Sequence, residues 1–89
     1  MEAPLNPREL YGFLSRLSMQ MQERGETELA HELQLAMKYF IVPLTSEFYG
    51  VSMVALRKVL SGESKIMSDN DKERASFFVK EIKEKWFSR

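Results

Sequence analysis

The sequence predicts an all-α fold: a compact bundle of four helices that pairs as a homodimer. Apolar residues recur at helical spacing in four separate segments, each segment carries its own start signal, and the connections between segments are short. With 89 residues there is room for one hydrophobic core, so positions 1–89 are expected to form a single helical domain. A domain of this size hides only ~60% of its unfolded surface, which makes self-association a natural source of added stability.

The first segment opens on Asn6, Pro7, Arg8 and Glu9, which reads as an N-cap, a proline at the first helical position and a glutamate placed to reach back to the cap amide. Leu5 and Leu10 are spaced as a hydrophobic staple. Leu10, Phe13, Leu14, Leu17 and Met21 then share one face until Gly25 ends the run as a left-handed cap. The second helix begins near Thr27 and stacks Leu29, Leu33, Ala36, Met37 and Phe40, with Pro43 as its stop. The third starts at Thr45 or Ser46. Its aligned Phe48, Val51, Ala55 and Val59 are widened by Tyr49, Met53, Leu56 and Leu60 into the most buried-looking stretch of the chain, ending at Ser61 and Gly62. A polar connector, Glu63 to Asn70, leads to the fourth helix, capped by Asp69 or Asn70, with Asn70 and Glu73 suited to a capping box. Ala75, Phe78, Val79, Ile82 and Trp86 form its inner stripe, and Glu81 and Lys85 are spaced for an ion pair.

Composition excludes several classes of function. Hydrophobic residues make up 44% and charged residues 29%, the balance of a folded globular domain rather than of a disordered tail. Thirteen basic and thirteen acidic side chains cancel, so no global field steers the chain toward nucleic acid or anionic lipid. The absence of cysteine removes disulfides, thiolate zinc sites and cysteine nucleophiles together. No signal peptide is visible in Met1 to Pro7, and Tyr39 to Phe48 is too short and too interrupted to span a bilayer. The expectation is a cytoplasmic protein without a membrane segment or cofactor.

Few residues point to chemistry. Phe77 lies about 140° or more from the Val79, Ile82 and Trp86 stripe, and Phe87 is about 100° from Trp86, so the last helix carries aromatic area on more than its inner face. Phe77, Trp86 and Phe87 are therefore the candidate partner interface, weighed against the ordinary occurrence of single exposed aromatics. Self-association is its simplest form, since most soluble oligomers are symmetric homodimers; another protein partner is the other form. Glu28 and His31 make a Glu-x-x-His pair, half of the motif that carboxylate di-metal bundles use twice. Both point away from the apolar stripe and the chain has one histidine, so a solvated histidine is the simpler reading and no metal site is assigned. The six methionines read as core filler. No catalytic residue is assigned, because no nucleophile elbow, phosphate-cradling loop or paired-carboxylate pattern is present.

Gly50, Val51, Ser52, then Ala55, Leu56, Val59, Leu60, Ser61 and Gly62 resemble the second half of a helix-turn-helix of the lambda-repressor and lac-repressor kind. The likeness covers about a fifth of the chain. It implies a sharp turn at Gly50 and nucleic-acid contacts from Ser52, Met53, Val54, Arg57 and Lys58, of which Ser52, Arg57 and Lys58 have suitable chemistry. The competing geometry is one continuous helix from Ser46 to Leu60 that tolerates Gly50, and the backbone conformation of Gly50 separates the two. The order Gly25, Glu26, Thr27, Glu28, Leu29, Ala30, then Thr45, Ser46, Glu47, Phe48, Tyr49, Gly50, Ala55 and Leu56 also resembles short uncharacterised bacterial all-helical proteins of about this length, which implies a bundle and no particular activity. The expected function is a non-enzymatic interaction or regulatory module; the alternative is a DNA-binding transcriptional regulator.

Overall fold

The computed structural model describes residues 6–40, 46–62 and 67–87. Among them four helices follow in order: α1 (Pro7–Glu23), α2 (Thr27–Lys38), α3 (Ser46–Ser61) and α4 (Asp69–Ile82). A wider i→i+5 turn, Lys83–Phe87, continues α4. No strand occurs among the described residues.

Helix α1 starts as its residues dictate. The Asn6 side chain accepts hydrogen bonds from the Arg8 amide at 2.9 Å and the Glu9 amide at 3.3 Å, satisfying donors that the first turn leaves without helical partners. Its end is a Schellman arrangement. Gly25 takes φ 80°, the Gly25 amide donates to the Gln22 carbonyl at 3.1 Å, and the Glu26 amide donates to the Met21 carbonyl at 2.7 Å. This turn reverses the chain within three residues, and α2 packs back along α1.

Helix α2 has no side-chain cap, because Glu26 occupies the N-cap position and makes no such bond. It also ends earlier than Pro43 would require: the helix closes at Lys38, and the Tyr39 and Phe40 amides bond to Ala36 and Met37 in a tightened last turn. Phe40 is thus a post-helical residue. Its ring bridges three elements, 4.7 Å from Tyr11 of α1 and 5.2 Å from Phe48 of α3. Pro43, Thr45 and the proposed staple partner Leu5 lie outside the described residues.

Helix α3 runs without interruption through Gly50, and the one glycine with positive φ among the described residues is Gly25. Phe48, Tyr49, Ser52, Ala55, Leu56 and Val59 are buried, and Val51, Met53 and Leu60 pack partly against them. Helix α4 begins one or two residues before the position expected from Asp69 or Asn70. Ser68 is the cap, its hydroxyl accepting from the Asp71 amide at 3.2 Å, while the carboxylates of Asp69 and Asp71 favour the positive end of the helix.

The core joins Leu10, Phe13, Leu14, Leu17 and Met21 of α1 with Ala30, Leu33 and Ala36 of α2, the inward residues of α3, and Ala75, Phe78 and Ile82 of α4. Met67, in the connector, is also buried. Helices adjacent in sequence are adjacent in space, and the radius of gyration is 12.4 Å, near the ~12 Å of a compact domain of this length.

Two glycines of α1 and its cap should respond oppositely to the same change. Gly12 sits in mid-helix with nothing within 4 Å of where a Cβ would project, so Gly12→Ala should stabilise the protein by about 0.5–1 kcal/mol. Gly25→Ala, at φ 80°, should destabilise it by about 1–2 kcal/mol. Urea denaturation followed by circular dichroism reads both.

Candidate functional site

The face of α4 that points away from the core carries Glu73, Phe77 and Lys80, all exposed, and the turn that follows adds the exposed Glu84. Phe77 is 49% exposed, an uncommon position for a phenylalanine, and its ring meets that of Phe78 edge-on at 5.7 Å. Beside it, a cleft of about 280 Å³ lies between the first turn of α1 and α4, lined by Glu9, Glu73, Arg74, Phe77 and Phe78.

The floor of this region is held by stacked rings and guanidinium groups. Phe13 of α1 packs against Phe78 at 5.4 Å, and Arg74 lies 5.5 Å from the Phe13 ring centre and 5.6 Å from that of Phe78. Arg16 covers Phe13 from α1 at 5.4 Å. Each contact places a weakly hydrated cation over a ring face, where the quadrupole attracts it. Arg16 also forks onto Asp71, donating from Nη2 to Oδ1 at 2.7 Å and from Nη1 to Oδ2 at 3.4 Å. Asp71 is nearly enclosed while Arg16 is half exposed, so this pair ties the middle of α1 to the start of α4 at the edge of the core.

Trp86 and Phe87, the other two aromatics of the expected interface, belong by backbone to the wide turn after α4; their side chains lie outside the described residues. Of the three, Phe77 is the one whose surroundings the structure defines. Glu81 and Lys85 form the ion pair that their spacing predicts, and Glu81 is buried. Its Oε1 lies 3.9 Å from Lys85 Nζ and makes no hydrogen bond. The i→i+5 turn directly follows it.

The residues of the helix-turn-helix reading are separated by the structure. The corner at Gly50 is absent, because α3 is continuous there. Ser52 is completely buried, with its hydroxyl unpartnered, and cannot reach a groove. Arg57 and Lys58 are exposed, and Lys58 Nζ is 3.1 Å from Glu32 Oε2 of α2. That pair borders a shallow cleft of about 500 Å³ shared with Thr27, Glu28, Leu29 and His31. Glu28 and His31 are exposed there, and no group of three or more metal-ligating side chains occurs among the described residues. Burial pushes the Tyr49 phenol above its ordinary value. No helix among the described residues is long and apolar enough to cross a membrane.

Comparisons with protein-family models, with curated proteins and with solved structures find no match.

Two buried serines differ in how their hydroxyls are satisfied. Ser18 is satisfied by the Ser15 carbonyl at 2.8 Å, whereas Ser52 Oγ is enclosed without a partner. Ser52→Ala should therefore stabilise the protein by about 1 kcal/mol, read as a higher denaturation midpoint at unchanged slope. Arg16→Ala removes the charge that compensates an enclosed Asp71 and should cost about 1–3 kcal/mol in the same measurement.

Proposed function

We propose that this chain is a non-enzymatic, cytoplasmic protein-interaction module that acts as a homodimer through the outer face of α4. The observation that carries the reading is Phe77, half exposed beside a cleft and backed by Phe78 and Arg74. Aromatic and arginine side chains supply most of the binding free energy in protein interfaces, because they bring large rigid area together with directional polar contacts. Here the ring stands on a firm base, since Phe13, Arg16 and Asp71 brace α4 from below. A braced anchor loses little side-chain freedom on association.

A dimer suits the energetics of the chain. A small single core leaves modest stability, and covering an exposed ring on each copy adds ~1–2 kcal/mol per ring from apolar area alone. The reading needs no catalytic group, and none is assigned.

Sedimentation equilibrium across micromolar concentrations tests it. The expected result is a reversible dimer that Phe77→Ser converts to monomer with its helix content unchanged by circular dichroism. A monomer at every concentration for the unaltered chain would remove the reading.

A further inference from the structure

The methionines, alike as core filler by composition, are not alike in the fold. Met21 is fully enclosed, Met67 is 6% exposed, and Met37 and Met53 pack partly against the core. Met19 is 60% exposed, more than any other large apolar residue among the described ones. It stands about 180° around α1 from the stripe of Leu10, Leu14, Leu17 and Met21, so the helix carries it away from the core. Its neighbours three and four positions away, Ser15, Arg16, Gln22 and Glu23, are all polar. An apolar side chain set alone among polar ones does not make a partner surface, because nothing apolar extends it. What distinguishes the position is the chemistry of its sulfur.

A thioether reacts with a hydroperoxide by oxygen transfer. The sulfur lone pair attacks one peroxide oxygen, an S–O bond forms and the O–O bond breaks. The hydrogen of the transferred oxygen passes to the leaving one, so hydrogen peroxide ends as water while the thioether becomes a sulfoxide. The product is polar, and its consequence depends on where it lies. At Met21 or Met67 the new oxygen would be enclosed among Leu, Phe and Ala side chains without a hydrogen-bond donor, which the core does not tolerate. At Met19 it meets water and polar neighbours.

We infer that Met19 is an oxidant-accepting site: hydroperoxides convert it to the sulfoxide ahead of Met21 and Met67, and the fold keeps its helices and stability when they do. The inference concerns α1 alone and stands apart from the self-association reading of α4.

Timed exposure of the folded protein to hydrogen peroxide, followed by quenching, trypsin digestion and mass spectrometry, reads the order. Met19 and Met21 share the peptide from Leu17 to Arg24, so fragmentation of that peptide locates the oxygen. Sulfoxide at Met19 should form about tenfold or more faster than at Met21 and Met67, and the three rates should converge in concentrated urea, where the fold no longer protects any of them. Met19→Gln, a polar side chain of similar length, should leave helix content and the denaturation midpoint unchanged, whereas Met21→Gln should lower the midpoint. Met21 or Met67 keeping pace with Met19 in the folded protein overturns the inference. So does a preference that survives in urea, or a loss of helix content on Met19→Gln.

Discussion

Helix α3 has no fully polar side, and the rest of the structure is arranged around that constraint. Phe48, Tyr49, Ser52, Ala55, Leu56 and Val59 are buried; Val51, Met53 and Leu60 are partly covered; and only a strip containing Glu47, Val54, Arg57 and Lys58 is exposed along most of its length. A helix with so wide an apolar face is not stable in water by itself, since most helical stability in a protein comes from packing. It must be flanked, and α2 and α4 flank it. Phe40 closes one end by stacking on Phe48, and the turn after α4 also reaches α3. One core of this kind uses apolar side chains from all four helices.

The seam between α1 and α4 is of a different nature. Their backbones do not approach closely along their length; long side chains span the gap. Phe13 and Phe78 fill it, Arg16 and Arg74 cover the rings, and Asp71 anchors Arg16. Cation, ring and carboxylate close a wet margin without a purely apolar surface. Phe77, one residue from Phe78, has no place in that seam and turns outward. The candidate interface is therefore a by-product of how the seam closes: the stack that braces α4 also leaves a concave margin beside the exposed ring.

Helix periodicity and capping were legible because they are local. The Asn6 cap, the left-handed Gly25 and the inward residues of α1 follow from spacings of one to four positions. The exposure of Phe77 followed from its angle to the Val79, Ile82 and Trp86 stripe. The burial of Asp71 was not legible, because an aspartate near a helix start reads as a cap or a wet residue, and its partner Arg16 is 55 positions away. The pairing of Glu81 with Lys85 was legible from their i,i+4 spacing, but the burial of Glu81 was not, and it coincides with a change of helical pitch that no spacing rule announces. Ala30 and Met67 were missed because a small residue and a connector methionine carry little periodic signal of their own. Gly50 admitted two backbones, and the covering of α3 on both sides selects the straight one: a corner there would expose Ser52 and Leu56 to water.

The three-residue reversal at Gly25 has a kinetic consequence. It joins α1 to α2 with a very short loop, so the most extensive interhelical packing in the molecule forms between segments already tethered side by side. Closing such a loop takes on the order of 10–100 ns, and chains dominated by near-neighbour contacts reach the native state in microseconds to milliseconds. The α1–α2 hairpin is thereby placed to serve as the nucleus onto which α3 condenses. Changes that loosen its left-handed hinge would then slow the approach to the native state.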